Sequence, residues 1–229
     1  MNQGISSILA LCKWPIALLF ATLFPATAIL LWEEIIFSLR EGAYFWPLFW
    51  GAVTYILIWY YLIRKSSISF LSTLEHEITH CIFAWLTFNR VTGLKATLRS
   101  GGHMTYEGSG NWLLTIAPYF FPTSTIGLLF LAPYLDFVSV LVIQAVIGAS
   151  IAYHATSTWV ETHHAQTDLK EVGFLFSFLF LPTANLLSFA LIFADLRSGW
   201  HGVVLAIKNL SIAYIDQVQI FSRIFGANY

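Results

Sequence analysis

The chain has 229 residues, of which 58% are hydrophobic and only 10% are charged, and its mean hydropathy is +0.72. Soluble domains carry about 25% charged residues, so this composition excludes an ordinary soluble protein and indicates an integral membrane protein. The 11 basic and 12 acidic residues nearly cancel, which excludes the basic surface typical of nucleic-acid-binding proteins. We therefore expect its partners in the lipid bilayer.

Apolar stretches long enough to cross a bilayer, which takes about 20 residues, recur along the chain and predict an all-α polytopic membrane protein with about six transmembrane helices. The expected spans are residues 14–31, 44–63, 67–88, two within 112–153 that separate near 133–136, and 172–193. An aqueous turn between the first two is predicted by the charged residues Glu33, Glu34, Arg40 and Glu41. We assign residues 1–200 to one transmembrane domain with its core at 65–195, and residues 201–229 to an amphipathic segment in the membrane interface.

The distribution of basic residues gives the orientation. With six spans, one side of the membrane receives six Lys and Arg residues and the other side five, which favours cytoplasmic termini by a single charge. We expect a multi-pass protein of a bacterial inner membrane.

A polar, glycine-rich stretch follows the third expected span. Residues 91–98 and 103–107, separated by Ser100, Gly101 and Gly102, predict a short β-hairpin. Two strands of this length need support from helices or a third strand from a bound peptide. The hairpin is therefore either a capture site for an extended peptide or a surface loop.

The third expected span contains the pattern His76-Glu77-Ile78-Thr79-His80. Residues four apart lie on one face of a helix, so His76 and His80 can present two imidazole nitrogens to one metal ion, with Glu77 beside them as a general base. This arrangement is typical of zinc hydrolases. A chance pattern is disfavoured because ionisable groups within a membrane span are costly unless they have a function.

A catalytic zinc site needs a third protein ligand and an open position. Asp168 is our first choice, because it begins the sixth span beside apolar sequence; the alternative is an Asp that only stabilises a helix N-terminus. His154, at the end of the fifth span, is the second choice. The remaining candidates are His103, His163, His164 and Asp195. Two further membrane crossings separate the third span from Asp168, so the sixth span begins on the side of the membrane opposite to the start of the third. Asp168 can then reach His76 only if the metal lies deep, the polar loop dips inward, or residues 117–122 are re-entrant.

Other polar residues near the motif have two interpretations each. Glu75 either supports a histidine through a hydrogen bond or makes a structural pair. A water path to the site, or alternatively helix packing, is indicated by Ser66, Ser67, Ser69, Ser72 and Thr73.

These features resemble the site-2-protease family of intramembrane zinc metalloproteases, specifically its short branch. The resemblance covers about residues 65–195 and rests on four segments: 75–80 in a membrane helix, Gly101-Gly102 in the hairpin, 114–119 opening the next span, and 166–169 before the sixth. It implies that His76, His80 and Asp168 bind zinc, that Glu77 activates water, and that a transmembrane substrate unwinds against an edge strand. The chain departs from the family pattern at Thr79, where a small residue is usual, and at Leu169, where the family has glycine.

The leading functional hypothesis is an intramembrane zinc metalloprotease that cleaves transmembrane protein substrates, with Zn²⁺ as its cofactor. A non-catalytic metal-binding or transport bundle could use the same side chains for ion coordination. A degenerate protease-like protein that only binds partner helices is the third hypothesis.

Overall fold

The computed structural model describes residues 2–42, 45–63, 70–97, 101–135 and 139–226, and these are predominantly helical. The elements in chain order are α1 (Asn2–Glu41), α2 (Phe45–Ile58), α3 (Phe70–Leu86), β1 (Arg90–Ala96), β2 (Gly102–Glu107), α4 (Trp112–Ile116), α5 (Thr123–Leu131), α6 (Val140–Glu161), α7 (Thr167–Val172) and α8 (Phe174–Gly226). Helix α2 continues into a π-helical turn at Trp59–Ile63, and 3-10 turns follow α4 and α5 at Ala117–Tyr119 and Ala132–Tyr134.

Within these residues, four helices are long and apolar enough to cross a membrane: α1, α2 with its π-helical turn, α6 and α8. Helices α4 and α5 with their 3-10 turns form a fifth candidate that is bent by 77°. Helix α3 has 17 residues, fewer than the roughly 20 that a span needs. The helical, membrane-type architecture agrees with the sequence, whereas the six expected spans are not confirmed.

The aqueous turn expected at residues 33–41 is wrong, because α1 continues without a break to Glu41. The side chain of Glu34 is buried, and its Oε1 lies 3.1 Å from Nη2 of Arg197 on α8. An opposite charge within about 4 Å offsets the cost of burying a carboxylate in a helix bundle. Pairing with a residue 163 positions away in sequence is not visible in a local hydropathy pattern.

Helix α8 is divided by non-helical dihedral angles at Ser198 and Gly199, where Gly199 has φ of +58°. A Cβ atom on Gly202 would lie 2.0 Å from the carbonyl oxygen of Ala194, so the two halves of α8 pack against each other without side chains between them. The buried cluster that joins both halves to α1 consists of Ala26, Leu30, Ala190, Ala194, Ala206 and Leu210. Part of the segment predicted to be interfacial therefore packs along α1, where Gln217 Nε2 donates to the carbonyl of Thr22 at 2.8 Å.

Helices α2 and α6 cross at two reciprocal glycine contacts. A Cβ on Gly51 would lie 1.9 Å from the carbonyl oxygen of Ala145, and a Cβ on Gly148 would lie 1.9 Å from that of Leu48. The two backbones approach this closely only because both positions are glycine. The carboxyl ends of α2 and α6 consequently lie side by side, and they form one wall of the cavity described below.

The predicted β-hairpin is confirmed. Strands β1 and β2 pair antiparallel from Arg90↔Glu107 to Ala96↔Gly102, with a bulge between Val91 and Gly93. Met104 is buried against α3 with Phe83 and Ala84, which gives the two-stranded sheet the helical support that it needs. The expected first strand extended to Leu98, which lies outside the described residues, as does Ser100 of the turn.

Candidate metal centre

The structure brings the two histidines of α3 together with Asp168 of α7. One ligand atom from each of the three side chains lies within 4.8 Å of the others. Asp168 Oδ2 is 3.2 Å from His76 Nε2 and 3.4 Å from His80 Nε2. Because α3 is helical throughout this region, the spacing of four residues turns both rings to the same side.

Two of the three separations between these atoms are those expected around a tetrahedral zinc ion, and all three lie within 4.8 Å. Zinc binds imidazole nitrogen and carboxylate oxygen at about 2.0–2.2 Å, so two ligand atoms on a tetrahedron lie roughly 3.3–3.5 Å apart. The two observed separations from Asp168 Oδ2, 3.2 and 3.4 Å, fall at or beside this range. Two nitrogens and one oxygen are also a donor set that suits zinc with one position left open.

The second ring nitrogen of His76 is held by Glu161, the last residue of α6. His76 Nδ1 donates to Glu161 Oε2 at 2.9 Å, which leaves Nε2 to face Asp168. The other carboxylate oxygen, Glu161 Oε1, accepts from Ser72 and, at 3.0 Å, from Ser157. A carboxylate on the remote nitrogen of a metal-binding histidine fixes the tautomer and the ring orientation. Sequence reasoning missed Glu161, although it lies between the candidate ligands His154 and His163 in the sequence.

His80 is oriented by a backbone carbonyl. Its Nδ1 donates to the carbonyl oxygen of Leu114 at 2.9 Å. In a regular helix that oxygen accepts from the N–H of the residue four positions later, but this residue is Pro118, which has no N–H. The proline in the 3-10 turn after α4 therefore leaves an acceptor available for the histidine.

Asp168 lies in the first turn of α7, as the helix-terminus interpretation requires, and it also reaches the two histidines. Tyr119 donates its hydroxyl to Asp168 Oδ2 at 3.2 Å. Burial raises the pKa of Asp168, but the neighbouring imidazoles of His76 and His80 outweigh burial and hold the pKa well below its usual range. The carboxyl group is therefore ionised at neutral pH, as a metal ligand must be.

The carboxyl end of α7 is fixed separately from the metal-binding group. Lys13 of α1 donates to the carbonyl oxygen of Val172 at 2.7 Å, and Leu169 and Val172 are buried in the core beside Tyr119. This anchoring explains how a helix of six residues holds its side chains in place. The segment that contains residues 117–122, one of the routes offered by the sequence, is bent by 77° between α4 and α5.

Glu77 is buried and lies beside Gly102, the first residue of β2. A Cβ on Gly102 would lie 2.5 Å from Glu77 Cγ and 2.8 Å from Glu77 Oε1. Only glycine permits the hairpin to approach the carboxylate this closely. Glu75 has a different partner: its Oε1 accepts from the backbone N–H of Ser124 at 2.6 Å, which caps the amino end of α5. The structural pairing expected as one interpretation of Glu75 is the one observed.

The other candidate ligands are not part of this group of side chains among the described residues. His154, the second choice, is buried on α6, and its ring lies 5.9 Å from that of Phe189. The rings of His163 and His164 are 6.5 Å apart in an exposed turn. Asp195 is half-buried on α8. His103, on β2, lines the same cavity as the metal-binding group without joining it.

The group formed by His76, His80 and Asp168 faces a cavity of about 1280 Å³. One side is polar and comes from α3, α7 and the hairpin, and the other is aromatic and comes from α2 and α6, with Tyr55, Trp59, Tyr153 and Trp159. Ser72 and Thr73 line the cavity, in keeping with the expected water path, whereas Ser66, Ser67 and Ser69 lie outside the described residues. The hairpin contributes Gly101 and β2 residues but no β1 residue, so β2 is the strand that borders the cavity.

No family model, curated protein or solved structure matches this chain. These comparisons therefore identify no family for the chain.

Proposed function

We propose that this chain is an intramembrane zinc metalloprotease that hydrolyses peptide bonds of membrane-protein substrates. The observation that carries the proposal is the convergence of His76, His80 and Asp168, whose ligand atoms lie within 4.8 Å of one another although Asp168 is 88 residues from His80 in sequence. The long apolar helices of the chain support a site that works within or beside the bilayer.

Each residue of the site has a defined task in this proposal. Zinc, when bound, supplies the Lewis acidity that polarises a peptide carbonyl and acidifies a water molecule. Glu77 accepts the proton of the attacking water and then delivers it to the leaving amine. Its burial beside Gly102 keeps the carboxylate directed at one place, which favours proton transfer over a short distance.

The residues around the ligands keep the site in a reactive geometry. Glu161 and the carbonyl of Leu114 hold the two imidazole rings so that both Nε2 atoms face the same point. Tyr119 donates to Asp168 and limits the rotation of its carboxylate. Such partners raise the basicity of the ligands and reduce the reorganisation that the reaction requires.

Strand β2 supplies the binding mode that we propose for the substrate. The strand borders the cavity, and its pairing with β1 leaves its other edge unpaired within the two-stranded sheet. An extended peptide can add to such an edge through main-chain hydrogen bonds, which hold a locally unwound transmembrane segment without regard to its side chains. The close approach of Gly102 to Glu77 brings this edge next to the general base.

Substitution of Glu77 separates the protease from its alternatives. Glu77→Gln should retain stoichiometric zinc in the purified protein while cleavage of single-span membrane-protein reporters, co-reconstituted in lipid vesicles, falls by at least about 100-fold. Glu33→Gln is the matched control, because Glu33 is an exposed residue of α1 that does not line the cavity. A protein that only binds or transports metal would keep most of that function in Glu77→Gln, because it needs no general base. Wild-type protein that cleaves no reporter and still binds zinc would contradict the enzymatic proposal.

Loss of the metal tests the site itself. His80→Ala should bind zinc far more weakly than wild type, and His164→Ala, which alters an exposed histidine, should bind it normally. Equal zinc content in His80→Ala and wild type would contradict the assignment of the site.

A further inference from the structure

Four carboxylates line the cavity at the candidate metal centre, and three of them already have a task. Asp168 faces the two histidines, and Glu161 orients His76. Glu77 is the proposed general base. The fourth is Glu171 of α7, whose side chain is exposed. The described residues that line the cavity include no Lys or Arg. Glu171 is therefore a negative charge in the proposed substrate cavity that neither metal binding nor proton transfer explains.

Glu171 and Asp168 lie on the same face of α7. They are three residues apart on this helix, which places their Cβ atoms about 5–6 Å from each other. The opposite face of α7 carries Leu169 and Val172, which are buried in the core. The packing that presents Asp168 to the histidines therefore also presents Glu171 to the cavity, close to the metal-binding group.

The contacts of Glu171 leave its carboxylate largely free for a ligand. Its Oε1 accepts from Thr115 Oγ1 at 3.5 Å, and this is the one hydrogen bond of Glu171 within the described part of the chain. No Lys or Arg nitrogen of that part lies within 4.0 Å of the carboxylate. A carboxylate offers about four acceptor sites, so a cationic group can still bind to it.

Strand β2 connects the general base with Glu171. Gly102 lies beside Glu77 at one end of the strand, and Tyr106, four residues later, also lines the cavity. Burial and, to a smaller extent, the nearby carboxylate of Glu171 raise the pKa of the Tyr106 hydroxyl. Four residues of a strand span about 13 Å. A peptide that pairs with β2 would therefore run from the general base toward Glu171.

We infer, on the basis of the proposed function, that Glu171 selects substrates that carry Lys or Arg within about four residues of the scissile bond. The ammonium or guanidinium group binds to the carboxylate of Glu171, and an acidic side chain at the same position is repelled by it. Membrane proteins carry Lys and Arg in the short segments that flank their spans. The substrate class is thus a membrane protein cleaved near a basic flank of a transmembrane segment.

Binding, rather than cleavage, provides the primary test. Zinc-loaded Glu77→Gln protein in detergent is titrated with fluorescent single-span peptides, in which one Lys is placed at successive flanking positions and compared with Gln at the same position. At the preferred position, the Lys peptide should bind about fivefold more tightly than the Gln peptide. Adding Glu171→Gln to this protein should bring the ratio close to one. Adding Glu33→Gln, which alters an exposed glutamate of α1, should leave the ratio unchanged.

Reversal of the charge gives a second, independent readout. Glu171→Lys, in the same Glu77→Gln background, should prefer a peptide with Glu over one with Lys at the selected position. Equal binding of Lys and Gln peptides at every position, or a Lys preference that persists in Glu171→Gln, would overturn the role of Glu171. A loss of zinc from Glu171→Gln with an unchanged Lys preference would assign it a structural role beside Thr115. Peptides that bind with the expected preference but are not cleaved by wild type would contradict the protease alone.

Discussion

The candidate metal centre and the buried pair of Glu34 and Arg197 are both polar clusters between helices, but they differ in how their polar atoms are satisfied. At the candidate metal centre, both Nδ1 atoms of the histidines, Asp168 Oδ2 and Glu161 Oε1 have partners within the protein. In the pair of Glu34 and Arg197, Glu34 Oε2 and Arg197 Nε have no hydrogen-bond partner among the described residues.

The difference concerns what each region requires. The protein itself sets the geometry of the first cluster, so a change to any member should alter the metal site through contacts that are already present. The pair of Glu34 and Arg197 lies between α1 and α8, so a change there should alter the packing of these two helices and leave zinc binding intact. Substitutions in the first cluster, taken from the largest expected effect to the smallest, test this contrast.

Removal of the third ligand should have the largest effect. Asp168→Ala should lower zinc affinity by more than about 100-fold, because a protein ligand is lost rather than a supporting group. His154→Ala is the control and should retain stoichiometric zinc. Metal content after dialysis against a zinc buffer measures both variants. Loss of zinc from His154→Ala with retention in Asp168→Ala would make His154 the third ligand.

Removal of the carboxylate that orients His76 should have an intermediate effect. Glu161→Gln should weaken zinc binding by about 10–100-fold, as is typical when the partner of a metal-binding histidine is changed. Competition with a chelator measures the affinity. Ser157→Ala, which removes only one donor to Glu161, should have a smaller effect. If Glu161→Gln and Ser157→Ala both match wild type, the orienting role of Glu161 is excluded.

A side chain at Gly102 should affect catalysis more than metal binding. The Cβ of Gly102→Ala would lie 2.5 Å from Glu77 Cγ and 2.7 Å from Thr73 Cγ2, so the hairpin or the carboxylate must shift. Overpacking of this kind costs about 1–3 kcal/mol. Reporter cleavage should fall while zinc content stays stoichiometric. Gly127→Ala is the matched control, since an added Cβ there meets nothing within 4 Å. Full cleavage by Gly102→Ala would show that the close approach is not needed.

The smallest effect is expected at Pro118. In Pro118→Ala, a new N–H can compete with His80 for the carbonyl of Leu114, so zinc affinity should fall by less than about tenfold. Pro133→Ala is a close control, because Pro133 occupies the same Ala-Pro-Tyr sequence in an exposed 3-10 turn. An equal change in both variants would mean that a general loss of stability, and not the freed carbonyl, explains the result.

The sequence predicted the features that depend on local spacing. The four-residue interval of His76 and His80 and the hairpin are each readable within one segment. Asp168 was also named, but its approach to the histidines depends on a bend of 77° whose size the sequence does not give. Glu161 was missed because its partner His76 is 85 residues away, and a glutamate at a helix end is usually solvated.

The six predicted spans are not confirmed, because four helices among the described residues, or five with the bent pair, are long and apolar enough to cross a membrane. Glu34, predicted to lie in an aqueous turn, instead lies 3.1 Å from Arg197 of α8. Buried charge pairs between distant segments are the features that a one-dimensional pattern cannot show.

X-ray absorption at the zinc edge of the purified, zinc-loaded protein tests the central claim most directly. We predict about four nitrogen or oxygen neighbours at roughly 2.0–2.1 Å, with the outer-shell scattering of two imidazole rings, and one imidazole in His80→Ala. A sulfur neighbour at about 2.3 Å, a shell without imidazole scattering, or protein that takes up no zinc would contradict the assignment of His76, His80 and Asp168 as the metal site.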